Sequence, residues 1–356
     1  MSLVQGMQLA ALKGGQGGRE YYVAMVANSD LNNFFTLNMD PPSDRSQREM
    51  DPRHAREIAK YLIEQRDSYV LGALVYAVDS SCTFDASAIH PSLGVLTIPF
   101  GTNLRSIDGQ HRRQGLNEAI AEEPDLSRDS TAVLIYVEPD LRRRRQMFSD
   151  MNSTVKSVSK ALNVKFDSRD PFAIAAQSLV DSHTLLEGRT DNEGSRVRRG
   201  SSNWFTLGAV YDALKRLHVG GSGRVRNPNE YSSEAVEEFG RQFFDLIETA
   251  RPEFDSVRSG EFTIDEMREH SIIFSSTTLR ALAIAVHMRL VEDGQGTDIV
   301  AAYSEGLHEL DLHPGAHTWI DCGFVTMGKS TPNARNQEVL AAARVMATAL
   351  RSKRRN

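Results

Sequence analysis

The run Ser106-Ile107-Asp108-Gly109-Gln110-His111-Arg112-Arg113 brings an acid, an imidazole and two guanidinium groups together, behind an apolar run and ahead of a helical pattern. That order reads as a strand, a tight turn and a helix whose first turn is polar and cationic. Asp-Gly is a strong turn signal, and a glycine lets the backbone approach a ligand where a Cβ would intrude. Backbone N–H groups at the opening of a helix attract anions, and arginines there add charge-assisted hydrogen bonds to phosphate oxygens. A phosphorylated ligand suits this chemistry, with Gly109, Gln110, Arg112 and Arg113 as its binding residues. The same residues would also serve as a plain connection followed by a solvated arginine pair. His111 titrates near neutrality, with an unperturbed pKa of about 6.5. Two neighbouring arginines loosen its proton, which suits a neutral hydrogen-bonding or base role; an orienting or packing histidine is the competing use. Asp108 could hold the His111 tautomer, position a metal-bound water or close the turn, so Asp108 and His111 are the candidate catalytic pair.

Other catalytic templates fail. The sequence has no Gly-x-Ser-x-Gly elbow and no His-Glu-x-x-His pair. His308, His313 and His317 are close in sequence, but Pro314 and Gly315 put them on an irregular segment with no carboxylate to complete a site, so they read as surface or packing histidines. The two cysteines, Cys82 and Cys322, are far apart and signal neither a zinc site nor an iron–sulfur cluster.

The elements that must position the turn alternate strand and helix. Residues 14–18 look like a glycine turn between an N-terminal strand and a strand at 21–27. Asp51 caps a helix with Pro52 at its first position, and Ala55, Ile58, Ala59, Leu62 and Ile63 recur at helical spacing. Strands are expected at 71–78 and 93–100, the first followed by a polar loop. The helix after Asp108 turns Leu116, Ala119 and Ile120 inward, and residues 132–137 form a short apolar strand. This is a mixed α/β pattern. From about residue 171 the texture becomes helical, with helices expected at 172–180, 204–217, 233–250, 272–291 and 337–350. Two basic breaks, 187–202 and 219–229, read as mobile loops available to order on a ligand. The expected fold class is therefore α+β: an α/β domain over residues 1–170, then a mainly α-helical domain over 171–356 with basic loops.

A chain of 356 residues can bury a sizeable core in two domains. No apolar run is long enough to span a bilayer and no signal-peptide pattern opens the chain, so a cytoplasmic location and no membrane partner are expected. A net charge of −6 argues against indiscriminate coating of nucleic acid. Local basic clusters are dense nonetheless: Arg142, Arg143, Arg144 and Arg145; Arg196, Arg198 and Arg199; Arg224 and Arg226; Arg351, Lys353, Arg354 and Arg355. The first cluster, with Arg198 and Arg199, forms the candidate DNA-binding set.

The Asp-Gly-Gln-His-Arg turn, together with residues 51–62 (Asp-Pro-Arg-His-Ala-Arg-Glu-Ile-Ala-Lys-Tyr-Leu), 147–152 (Met-Phe-Ser-Asp-Met-Asn) and 161–170 (Ala-Leu-Asn-Val-Lys-Phe-Asp-Ser-Arg-Asp), resembles the DGQHR-domain proteins of the DndB family. The likeness is best over roughly residues 45 to 185 and weaker beyond. A similar order occurs in ParB-like and sulfiredoxin-like nucleotide-binding domains. That resemblance implies a ParB/sulfiredoxin-like α/β domain that holds ATP or another nucleoside triphosphate with Mg2+. In it, Arg53 joins the phosphate-binding residues, and Asp150 and Asn152 hold the metal. Met151 separates those two, and positions two apart on a helix point about 200° away from each other, so the pair needs a helix that ends or distorts there. A sulfiredoxin-like sulfur reduction would need a cysteine where Gln110 stands.

What the resemblance implies is a DNA-binding transcriptional regulator or accessory protein of DNA phosphorothioate modification, with DNA and other phosphorothioation proteins as partners. Homo-oligomer formation stays open. The alternatives are a metal-dependent nucleoside triphosphatase (an ATPase) with DNA-nicking ability, in which Asp108, His111 and Arg112 act, and an assembly factor with a vestigial nucleotide pocket.

Overall fold

The first two strands, β1 (Gly6–Gln16) and β2 (Arg19–Ala27), pair as a hairpin. Met7, Ala11, Tyr22, Ala24 and Val26 are buried along them in alternation with more exposed neighbours, as a strand with one covered face requires. The computed structural model describes residues 6–34, 50–79, 81–153, 158–221, 225 and 228–351. They divide into two units, Met1–Lys156 and Ser157–Asn356. Arg224, Arg226, Lys353, Arg354 and Arg355 lie outside the described residues.

In the first unit, helices α1 (Asn28–Phe34) and α2 (Pro52–Glu64) precede strands β3 (Leu74–Val78), β4 (Thr83–Ala86), β5 (Leu93–Pro99) and β6 (Leu104–Asp108). Helix α3 (Gln110–Glu122), strand β7 (Ser130–Val137) and helix α4 (Leu141–Ser153) follow. The strands build one mixed sheet in the order β4-β5-β1-β2-β7-β3-β6, antiparallel except for β3 beside β7. Every residue of β3 is buried because both its faces are covered. Leu74, Tyr76 and Val78 pack under α2 and α3 with Leu62, Leu116 and Ala119, while Val75 and Ala77 pack with Ile107, Tyr136 and Met147 of the α4 side. β4 falls where the sequence reads as a polar loop. It is an edge strand with no fully buried residue, so no apolar alternation marks it.

The second unit is helical: α5 (Lys160–Phe166), α6 (Pro171–Ser182), the two-residue strands β8 (Thr190–Asp191) and β9 (Phe205–Thr206), α7 (Leu207–Val219), α8 (Ser233–Ala250), α9 (Glu253–Arg258), α10 (Ile264–His270), α11 (Ser276–Asp293), α12 (Ile299–Glu309), α13 (His317–Asp321) and α14 (Asn336–Ala349). Residues 157–170, which the sequence reading groups with the first domain, belong to this unit: Ala161 and Val164 join its core, and Asp170 caps α6. The helix expected at 272–291 is broken after a short 3-10 turn, where Ser275 accepts the Thr277 N–H and starts α11 anew. The segment at 187–202, read as a mobile loop, is anchored. Asp191 accepts the N–H groups of Glu193 and Gly194, Trp204 N–H donates to the Arg189 carbonyl, and Gly200 N–H donates to Asp265. The chain is thus α+β, with its sheet confined to the first unit apart from the short β8–β9 pair.

The core of this unit holds a histidine. His218 donates through Nδ1 to the Leu214 carbonyl at 2.9 Å and lies edge-on to Phe172, Tyr231 and Phe239. Burial lowers its pKa, and the bond to Leu214 opposes that only in part. The unfolded chain therefore binds a proton below about pH 6.5 that the folded chain refuses. Stability is complete above that value and falls as pH drops towards the lowered folded pKa. We expect the melting temperature to fall on acidification from about pH 7 to about pH 5, and to fall less in His218→Phe. Thermal melts by circular dichroism across that range check it, and an identical pH dependence in the variant would absolve His218.

Candidate functional site

The site begins with an irregularity at the sheet edge. Val75 pairs with Asp108 while Tyr76 pairs with Ser106, so β6 carries an extra residue, Ile107, opposite β3. Such a bulge bends an edge strand and re-aims the side chains beside it. Ile107 is driven into the core, and the chain leaves at Asp108. Gly109 follows with φ of +93° and ψ of 13°, a left-handed conformation, and a Cβ there would lie 2.7 Å from the Leu74 Cδ2. Both the conformation and the space demand glycine. Helix α3 starts at the next residue, and Gly109 offers no side chain to cap its first turn.

Arg112, one turn into α3, folds back so that its Nη2 meets the Asp108 Oδ2 at 2.5 Å, and its guanidinium crosses beside Gly72. This pair, Gly109, Gln110 and His111 line a cleft of about 490 Å³, together with His54 and Ile58 of α2, Ile107, and Phe148 and Asn152 of α4. Asp51 caps α2 by accepting the Arg53 N–H, and its own N–H donates to the His111 Nε2 at 3.0 Å. His54 and His111 stand edge to face with ring centres 5.1 Å apart. The two helices come this close because α3 has Gly115 at the crossing, where a Cβ would lie 2.7 Å from the Ala55 carbonyl oxygen.

The pKa of His111 is lowered, first by burial and then by His54, with Asp51 and Asp108 opposing. The direction matches the sequence expectation, but the cause is desolvation and a second imidazole rather than the arginines. Because Nε2 accepts from Asp51, the proton of the neutral ring sits on Nδ1. His111 is thereby arranged as a hydrogen-bond donor, with the lone pair a base would use already occupied.

The other candidates separate. Arg113 is only 4 % exposed, lies against Tyr76, and has Nε and Nη1 without a hydrogen-bond partner; it does not line the cleft. Burial pushes the Tyr76 hydroxyl up to about 12, with Arg113 pulling the other way. Arg53 is exposed at the start of α2, outside the cleft lining. Helix α4 runs through both Asp150 and Asn152. Asn152 lines the cleft and donates to the Phe148 carbonyl, whereas Asp150 accepts from Gln146 and is not part of the lining. Of the α4 arginines, Arg142, Arg143 and Arg145 are exposed, but Arg144 is buried and donates to the carbonyls of Glu138 and Pro139. It shares the inward stripe of Met147 and Met151, a helical spacing visible in sequence and masked by the unbroken arginine run. Arg198 and Arg199 are exposed on the second unit. His54, Ile58 and Phe148 are cleft residues that sequence reasoning missed; the only advance signal for His54 was its place in the first turn of the capped helix α2.

In the second unit His183, Asp245 and Glu248 cluster, but His183 does not present a metal ligand. Its Nδ1 accepts the Leu185 N–H, so Nε2 carries the proton and faces Asp245 at 3.2 Å, while Arg258 and Thr184 bind Glu248. His308 bonds to the Ala250 carbonyl and Nδ1 of His313 accepts the Gly315 N–H, both local structural uses.

Fold and cleft together define an α+β protein with a histidine-lined cleft, holding the Asp108–Arg112 ion pair, at a strand-to-helix turn on the edge of its sheet. No helix among the described residues is long and apolar enough to cross a membrane. A family model described as DndB, DNA-sulfur modification-associated, matches residues 9–351, and the chain belongs to the DndB family. Its role therefore lies in DNA phosphorothioate modification. No curated protein and no solved structure matches it.

Proposed function

We propose that this chain is a DNA-binding regulator or accessory protein of phosphorothioate modification whose Asp108–Arg112 cleft takes a phosphate, from a nucleotide or from nucleic acid. The observation that carries the reading is the convergence of Arg112, the uncapped start of α3 and two histidines on one cleft, with the left-handed Gly109 setting the turn that brings them together. Arg112 is steered by Asp108 and keeps donors for an oxyanion. His111, holding its proton on Nδ1, fits binding better than proton abstraction. For a nucleoside triphosphate with Mg2+, the cleft offers oxygen ligands from Asp108 and the Asn152 amide, and the ion would neutralise phosphate charge. Asp150 is not part of that set.

For DNA, the support is the exposed face of α4. Changing Arg142, Arg143 and Arg145 together to alanine should weaken binding to every duplex by a similar factor, because phosphate contacts carry little sequence information. The slope of log affinity against log salt should flatten by about 0.9 for each phosphate that is no longer neutralised. An unaltered slope would remove α4 from the interface.

The test of the whole reading measures thermal stabilisation of the purified chain by ATP and GTP with and without Mg2+, fluorescence anisotropy with the duplex upstream of the modification genes, and phosphate release. Nucleotide stabilisation with salt-dependent duplex binding and no phosphate release is the expected result. Nucleotide stabilisation without duplex binding would favour an assembly role with other phosphorothioation proteins. Mg2+-dependent phosphate release that stops in Asp108→Ala and His111→Ala would favour the triphosphatase.

A further inference from the structure

A second cleft, of about 480 Å³, lies wholly within the helical unit. It is lined by Arg196, Arg199 and Arg268, by Ser275 and Ser276 at the start of α11, and by Ser330. We propose that it is a phosphate-binding site that receives a backbone phosphate of a nucleic-acid strand. The choice of a polynucleotide rests on the DNA-binding reading above; the site itself is independent of the Asp108–Arg112 cleft.

Four features build it. The basic segment is fixed at both sides, by Gly194 N–H on Asp191 at 2.8 Å before it and by Gly200 N–H on Asp265 at 2.6 Å after it, so Arg196 and Arg199 are held in place. Both are exposed, and neither guanidinium has an ion pair among the described residues. Arg268 also binds the Asp265 Oδ1 at 3.0 Å, which leaves Glu269 as the uncommitted carboxylate of the lining. Helix α11, 18 residues long, points its positive end into the cleft. Its cap, Ser275, serves the Thr277 N–H, and Ser276 opens the helix exposed to solvent. The floor is apolar, formed by the buried Ile272 and Phe274, which strengthens electrostatic attraction at the mouth. Three arginines, a helix N-terminus and hydroxyls from two separate segments converge here, the chemistry that grips a phosphodiester.

Two variants test the site without touching the core. Arg196→Ala with Arg199→Ala removes exposed charges. Ser276→Asp adds an acid to a first helical turn, where it favours the helix while repelling an anion. Both are made in the full chain and titrated with a short fluorescein-labelled duplex, with AMP and with inorganic phosphate. The expected result is about tenfold or greater weakening of duplex binding in each, with a salt slope reduced by about 0.9 for each phosphate that is no longer neutralised. Unchanged duplex binding with loss of AMP- or phosphate-induced stabilisation in both variants would support the site with a free ligand as its occupant. Wild-type behaviour towards all three probes would overturn it. ATP stabilisation should survive in both variants and vanish in Arg112→Ala, so failure of one cleft is distinguishable from failure of the other.

Discussion

Arg112→Ala should erase nucleotide-induced stabilisation while the unliganded protein stays folded. The Arg112 and Asp108 side chains are 30 % and 47 % exposed, so their ion pair contributes no more than about 1 kcal/mol to the fold. The carboxylate left behind can hydrate. Binding is another matter: a ligand at about 100 times its dissociation constant stabilises by about 2.7 kcal/mol. For a unit of this size that is a shift of about 5–10 °C, all of which should vanish. Arg112→Lys keeps the charge but loses the planar fork, so it should recover only part of the shift. Differential scanning fluorimetry with ATP, with and without Mg2+, reads the series. A wild-type shift in Arg112→Ala would take the Asp108–Arg112 turn out of the binding site.

Gly115→Val should cost the first unit about 3 kcal/mol, at the upper end of what overpacking causes. The added Cβ would meet the Ala55 carbonyl oxygen and the Ile58 Cβ, each at 2.7 Å, and a backbone oxygen in a neighbouring helix cannot rotate away. Helices α2 and α3 must separate. That separation also pulls Asp51 and His54 from His111, so ligand stabilisation should disappear even where the fold survives. Gly115→Ala introduces the same Cβ and should carry much of the penalty. Urea denaturation measures the stability and fluorimetry the binding. Full stability with intact ligand stabilisation would mean that the packing of α2 on α3 does not hold the site.

Much of the first unit was legible because its signals are local. Asp51-Pro52 announces α2, Asp108-Gly109 announces the turn, and the apolar run at 132–137 announces β7. Helix α8 runs over the residues its periodicity marks. What escaped depends on partners distant in sequence. β4 is a strand only because β5 is beside it, and α9, α10 and α13 are too short to show a period. In the site, the Asp-Gly-Gln-His-Arg run was evident, but its neighbours were not. Two adjacent arginines look alike in sequence, yet Arg112 lines the cleft and Arg113 goes under the helix, because residues one apart on α3 face different directions. The same rotation hides Arg144 inside its basic run. His54 joins His111 through tertiary packing that no spacing records.

β7 stands between β2 and β3, although it follows both by many residues in the chain. Without it the sheet is two fragments, β4-β5-β1-β2 on one side and β3-β6 on the other. A chain emerging from the ribosome therefore carries the complete Asp108–Arg112 turn before it carries the strand that locks β6 and β3 to the rest. Until Val137 has been added, the turn rides on a two-stranded ribbon, too small to be stable by itself. Completion of this edge is consequently a late event in biosynthesis, and a nascent or prematurely ended chain would carry the turn without the sheet that holds it in place.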